Sequence, residues 1–166
     1  NTFVFLTQNA AEGVNYGIEM SINSEISEQL STYINLGLLE TEIQNWESRS
    51  DLEGRAQAHA PSNSFSMGMN YLPFENTYWN VNITGKSGFY YSDSHNNKSD
   101  SHVLVNTNFG YKYKDWVFEI WARNLFDEYY ATRGFFFGNE APDFADTLYE
   151  RHGDPRHIGL SIRYDF

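Results

Sequence analysis

His157 to Phe166 reads HIGLSIRYDF. Ile158, Leu160, Ile162, Tyr164 and Phe166 are apolar, while His157, Gly159, Ser161, Arg163 and Asp165 between them are polar or tiny. Strict period-two alternation predicts a strand with one apolar and one wet face. A soluble domain has little reason to finish on its most apolar strand without a polar tail. A membrane barrel does, because its last strand must pair with its first to close the wall.

Composition narrows the choice. With 166 residues the chain has the length of one domain. Aromatics make up 17%, yet mean hydropathy is −0.58, so apolar residues are interleaved with polar ones rather than collected in runs. A net charge of −11 with only 11 Lys and Arg argues against nucleic acid, which needs cationic contacts to phosphate. The lack of cysteine excludes disulfide scaffolds and thiolate metal sites. No run of about 18 apolar residues predicts a transmembrane helix, but a barrel strand needs only about ten alternating residues. The start, Asn1-Thr-Phe-Val-Phe-Leu6, has no basic region or long apolar core like a signal peptide, and it lies inside an apparent strand. The expectation is a fragment of a longer chain.

Working back from the last strand, the pattern predicts eight antiparallel strands and no helix. They are a short one over Thr2–Thr7, then Val14–Asn23, Leu30–Thr41, Ser64–Tyr71, Trp79 running on to Tyr91, Val103–Tyr113, Trp116–Ala122 and the final strand. The connections alternate in length. Ser24–Gln29, Pro73–Asn76 and the two-residue turn Lys114-Asp115 are short. Glu42–Pro61, Ser92–Ser101 and residues 127–155, the longest loop, are long and polar. Short turns on one side and long loops on the other mark an outer-membrane barrel, with periplasmic turns and extracellular loops. Strand lengths of roughly 10–15 residues exceed the usual soluble strand and suit a tilted span. Tyr16, Tyr71, Trp79, Tyr111, Tyr113, Trp116, Tyr164 and Phe166 fall near strand ends, as an interfacial girdle requires. The competing reading is a β-sandwich whose core holds these aromatics.

Two stretches carry a resemblance. WARNLFDEYYATRG, Trp121 to Gly134, and GDPRHIGLSIRYDF, Gly153 to Phe166, resemble the carboxyl-terminal end of TonB-dependent outer-membrane receptors. There an N-L-F-D-x-x-Y stretch ends the penultimate strand, and G-x-P-R-x-x-G-x-x-x-x-Y-x-F makes the last. VNYGIEMSINSEISEQLSTYINLGLLETEI and APSNSFSMGMNY are similar to upstream family stretches. The resemblance implies that residues 1–166 are the final third of a barrel of about 22 strands, without the plug, the TonB box or the earlier strands. It marks Asn124, Leu125, Phe126, Asp127, Tyr164 and Phe166 as the barrel-terminal motif. It also implies a last strand that resembles the signal read by the barrel-assembly machinery. The motif makes sense on its own chemistry as well. Asn124 and Asp127 can bond backbone freed from the ladder, and Pro155 sits where no ladder donor is needed.

No catalytic constellation stands out, and neither enzymatic activity nor a cofactor is expected. His59, His95, His102, His152 and His157 all fall in or beside the long loops, where solvated side chains are favoured over metal ligands. Asp143, Asp146 and Glu150 match no tight cation-binding spacing. RGFFFGNEAPDF, Arg133 to Phe144, is more informative, because three consecutive Phe in an exposed loop need a partner. Local packing is favoured; a ligand contact is the alternative. By resemblance, Arg133, Phe135, Phe136, Phe137 and Arg151 are the substrate-contact candidates. Arg123, Arg133, Arg151 and Arg156 are the cations best placed for an anionic chelate, but for each of them pairing with a neighbouring carboxylate such as Glu119 or Asp165 is favoured.

The reading is therefore all-β, an up-and-down antiparallel meander of about eight strands forming part of a transmembrane barrel. The implied protein is a Gram-negative outer-membrane receptor taking up a ferric siderophore or another scarce nutrient through TonB. Its partners would be lipid, the plug and remaining barrel, TonB and the assembly machinery. A free-standing eight-stranded barrel with a structural or adhesive role, and a soluble β-sandwich binding module, are the alternatives. Open strand edges also invite artificial self-pairing.

Overall fold

The computed structural model describes residues 12–93 and 95–166. The predicted strand Thr2–Thr7 lies outside them. Nine strands are present among the described residues: β1 (Glu12–Ser27), β2 (Leu30–Asn45), β3 (Asn63–Tyr71), β4 (Thr77–Lys86), β5 (His102–Tyr113), β6 (Trp116–Arg123), β7 (Ala131–Gly138), β8 (Asp146–His152) and β9 (His157–Tyr164). A single 3-10 turn, Ser50–Leu52, interrupts the β2–β3 connection. Seven strands form one antiparallel sheet in the order β1-β2-β3-β4-β5-β6-β9, and β7 pairs with β8 apart from it.

The architecture matches the expectation, with three local corrections. The first turn is tighter than Ser24–Gln29: β1 reaches Ser27, and only residues 28 and 29 lie outside the strands. The fourth strand stops at Lys86 rather than Tyr91: the Ser87 N–H makes a last bond to the Asn63 carbonyl, and beyond it the chain folds back so that the Ser99 N–H bonds the Phe89 carbonyl. Residues 127–155 are not a plain loop but hold the β7–β8 hairpin.

The register turns sequence alternation into surfaces. Directly paired residues share a face of the sheet. Met20, Leu36 and Phe65 lie opposite one another in turn, and so do Tyr71, Trp79, Phe109, Ile120 and Leu160. One face is thus apolar across all seven strands. Its side chains are exposed: Ile120 is 51% and Leu160 79% accessible. Among the described residues no second sheet covers them, so the sandwich alternative fails. Six of these outward positions run along β5 from Val103 to Tyr113. Ten residue steps cover about 33 Å, or about 25 Å vertically at a tilt of about 40°, which is the height of a barrel's lipid-facing band. Two polar groups in mid-face satisfy each other internally, as hydrocarbon requires: the Thr107 hydroxyl donates to the Asn80 carbonyl at 2.9 Å and accepts from the Trp79 indole at 2.9 Å.

The opposite face is a continuous polar band. The Ser21 hydroxyl donates to Asn35, whose amide donates to Ser66. Asn82 bonds the Tyr33 hydroxyl, and the Asn106 amide reaches Asn82. Glu119 accepts from Asn108 at 2.7 Å and from the Tyr78 hydroxyl at 2.8 Å. Large rings on this face lie over glycine on the next strand. Tyr78 is paired with Gly110 and Trp121 with Gly159, and a Cβ at either glycine would fall within about 2.3 Å of the ring.

The short turns sit together at one end. Lys114 takes a positive φ of 52° between the paired Tyr113 and Trp116. Asn76 takes 61°, beside a Thr77 hydroxyl that bonds Phe74 in both directions. Tyr164 packs 4.8 Å from Trp116 and 5.0 Å from Phe166, so three of the eight aromatics predicted for a girdle cluster there. The sheet is open. β1 and β9 are its two edges and do not pair, so no closed eight-stranded barrel forms among the described residues.

Candidate functional site

The well-buried apolar residues are few, and Ile43, Leu52, Phe89 and Tyr91 among them sit at the long-loop end. Three connections meet there: residues 46–62, 87–101 and 124–156.

The barrel-terminal motif anchors the last of these. Asn124 is buried at 5% exposure and adopts φ 48°, a left-handed conformation that Asn tolerates well. Its amide N–H donates to Asn106 Oδ1 at 2.9 Å, and its Oδ1 accepts from the Glu128 N–H at 2.9 Å. Its Nδ2 donates to the Glu128 carbonyl at 2.9 Å and the Asp154 carbonyl at 3.1 Å. Asp127, at φ 58°, accepts from the Arg156 N–H at 2.8 Å. The motif therefore ties the end of β6 to the segment that launches β9, drawing together the two feet of the long connection. Leu125 is half-buried, whereas Phe126 is exposed.

Arg55 joins the first two connections. Its guanidinium donates to the Ser92 and His95 carbonyls, to Asn96 Oδ1 and to Asp93 Oδ1, all within 3.1 Å. It lies 4.4 Å from the centre of the Tyr90 ring, and Lys98 lies 4.1 Å from the same ring. The backbone adds a bond from the His59 N–H to the Tyr90 carbonyl. This neighbourhood was not legible in sequence, because DLEGRAQAH reads as a charged, solvated loop.

Tyr91 extends the contact to the hairpin. It is 2% exposed, and its hydroxyl donates to Glu150. Burial first, and the Glu150 bond second, hold its phenol well above the ordinary tyrosine value. The Tyr91 ring lies where a Cβ on Gly134 would fall, with the nearest ring atom at 2.3 Å. His95 approaches Phe136 at 5.5 Å between ring centres.

Register then sorts the hairpin's faces. Gly134 pairs with Glu150 and Phe136 with Leu148, and this is the face that meets Tyr91 and His95. Arg133 pairs with Arg151, Phe135 with Tyr149 and Phe137 with Thr147 on the other face. There Arg133 lies 5.0 Å from the Phe135 ring, and Phe137 packs 5.6 Å from Tyr149. Arg133 and Arg151 are thus cross-strand partners on the face that carries Phe135, Phe137 and Tyr149. Such a surface favours a planar or multiply charged anion.

The structure brings Arg133, Arg151, Phe135 and Phe137 onto one face and turns Phe136 to the other. The three Phe make local contacts yet stay largely exposed, at 39–47%. Among the described residues neither Arg133 nor Arg151 forms a salt bridge, and neither do Arg123 or Arg156. Pairing with Glu119 or Asp165 does not occur: Glu119 is bonded by Tyr78 and Asn108, and Asp165 pairs with Arg163 at 3.0 Å. Arg123 lies 5.6 Å from the Trp121 ring instead. The histidines are not uniformly solvated. His102 is buried against Tyr130, with ring centres 4.5 Å apart, and His152 stacks on Tyr129 at 4.1 Å. No group of three or more acidic or His side chains suited to a metal converges among the described residues.

A single open sheet, apolar outside and polar inside, with short turns at one end and packed loops at the other, is a section of transmembrane β-barrel wall. Residues 1–125 match the family model of the TonB dependent receptor-like β-barrel, and the chain belongs to that family. Solved structures of similar fold cover nearly all of it. The ferric yersiniabactin uptake receptor FyuA of Yersinia pestis superposes with a TM-score of 0.80 at 16% identity, over 95% of this chain and 24% of that one. The siderophore receptor PiuA of Acinetobacter baumannii gives 0.76 at 15%, over 92% and 22%. BauA, the ferric preacinetobactin receptor of Acinetobacter baumannii, gives 0.68 at 21%, over 95% and 23%. The chain thus spans about a quarter of the length of these proteins.

Proposed function

We propose that residues 1–166 form the carboxyl-terminal wall section of a TonB-coupled outer-membrane receptor of a Gram-negative bacterium, and that the receptor takes up a ferric siderophore or a chemically similar anionic chelate. One observation carries the ligand class: Arg133 and Arg151 are paired across the β7–β8 hairpin, on an aromatic face, with no carboxylate partner among the described residues. A ferric chelate built on catecholate, phenolate or carboxylate oxygens offers the matching negative charge and flat rings. The structural neighbours described as ferric siderophore receptors support the same class. Lipid would meet the apolar face, and the plug and the remaining barrel would meet the polar face and the edges. TonB would act through the plug, and the terminal Tyr164 and Phe166 would serve the assembly machinery.

The test uses the full receptor. Arg133→Ala and Arg151→Ala should each weaken binding of ferric chelates by about tenfold, the scale of one lost charge-assisted contact. Growth on the corresponding iron sources should fall in step. Unchanged binding and growth in both variants would contradict this reading.

A further inference from the structure

We infer that the 87–101 connection is a preformed seat for the β7–β8 hairpin, and that Tyr91 is the positioning residue that fixes the Arg133–Arg151 face; the inference rests on the ligand reading above. The hairpin belongs to neither edge of the seven-stranded sheet. Asn124 and the His102–Tyr130 contact hold its feet, and beyond the feet its contacts with the other loops come from one face. Gly134 accepts the Tyr91 ring in the space a side chain would fill, Glu150 accepts the Tyr91 hydroxyl bond, and Phe136 meets His95. The seat is itself held. Arg55 binds two of its carbonyls and two of its side chains, and Tyr91 N–H and Ser99 N–H close it by bonds to Asn97 and Phe89 carbonyls.

The arrangement has a chemical consequence. Glu150 is the residue next to Arg151, and a carboxylate free to swing would compete with any anion for the guanidiniums. Bonded to Tyr91 on the opposite face, it leaves them unpaired. The seat thereby sets both the pose and the charge of the binding face before a ligand arrives, which saves the ordering cost that a mobile loop would incur on binding.

The test is amide hydrogen exchange and binding of a ferric tris-catecholate by the full receptor in lipid. Tyr91→Ala should speed exchange in residues 131–152 at least tenfold while leaving 103–113 unchanged. Tyr91→Phe keeps the ring in its place and should retain most of the protection. Gly134→Ala should speed exchange in the unaltered receptor but add nothing in the Tyr91→Ala background, since the ring it strikes is gone. Probe binding should weaken about tenfold in Tyr91→Ala and recover only in part in Tyr91→Phe, which restores the ring but leaves Glu150 free to compete for the guanidiniums. Unaltered exchange in Tyr91→Ala, or additive effects of the two changes, would overturn the seat. Loss of binding in Arg133→Ala with none in Tyr91→Ala would overturn its role in positioning. A receptor indifferent to the probe, or to both arginine changes, would instead overturn the ligand reading, while the exchange measurements still decide the seat.

Discussion

Asn124 shows how much one side chain can carry. Both ends of its amide are used, in a buried place and at a left-handed backbone angle. Removing it leaves the Glu128 N–H, the Glu128 carbonyl and the Asp154 carbonyl without partners. Asn124→Ala is expected to destabilise the β6–β9 region by about 2–3 kcal/mol, read as a lower urea midpoint for the receptor refolded in detergent. Asn124→Asp keeps the backbone angle but turns a carboxylate toward two carbonyls, and should cost as much. Tyr91 makes a pH-dependent contribution. A phenol held above its unfolded value near 10.0 contributes stability that is complete below pH 10 and is lost as pH rises beyond it. Hairpin exchange should therefore accelerate above pH 10 in the unaltered receptor. Tyr91→Phe should remove that component and leave a flatter profile.

At the scale of elements, alternation was the legible signal, and it holds wherever a strand has one face in lipid and one in water. β5, β6 and β9 show this plainly. The signal failed for β7–β8, whose RGFFFG run does not alternate, because both hairpin faces are partly apolar: one packs on Tyr91 and His95, the other stays open. It failed again beyond Lys86, where Phe89, Tyr90 and Tyr91 read as strand continuation although Phe89 and Tyr91 fill the loop core and Tyr90 lies against Arg55 and Lys98. Arg55 left no trace in sequence, since its partners lie 35 or more residues away and only the fold brings them near. Of the candidate site, the two arginines and the three Phe were legible as residues, but their sorting onto opposite faces needed the register. The same one-residue logic gives a prediction. Ile120→Arg places a charge in mid-band on the apolar face and should cost about 2–4 kcal/mol. The neighbouring inward Ser161→Arg should cost less than half of that in the same unfolding assay.

At the scale of the whole molecule, the distribution of burial is inverted relative to a soluble protein. The sheet's apolar face is open, while the loop end holds Leu52, Phe89 and Tyr91 in a packed core. That inversion is the physical content of the family assignment: the open apolar face suits lipid, and on the proposed reading the packed loops carry the recognition surface. These 166 residues contain no cysteine, so a single cysteine introduced along β5 has no competing thiol within this section of the wall. Spin labels at positions 103, 105, 107, 109 and 111, and at 104, 106, 108 and 112, should be measured in the receptor in bilayers for collision with oxygen and with a water-soluble nickel chelate. The first set should favour oxygen and the second the chelate, in strict two-residue alternation. Equal chelate access at both sets would contradict the assignment of this face to lipid, and with it the account of the chain as a barrel wall.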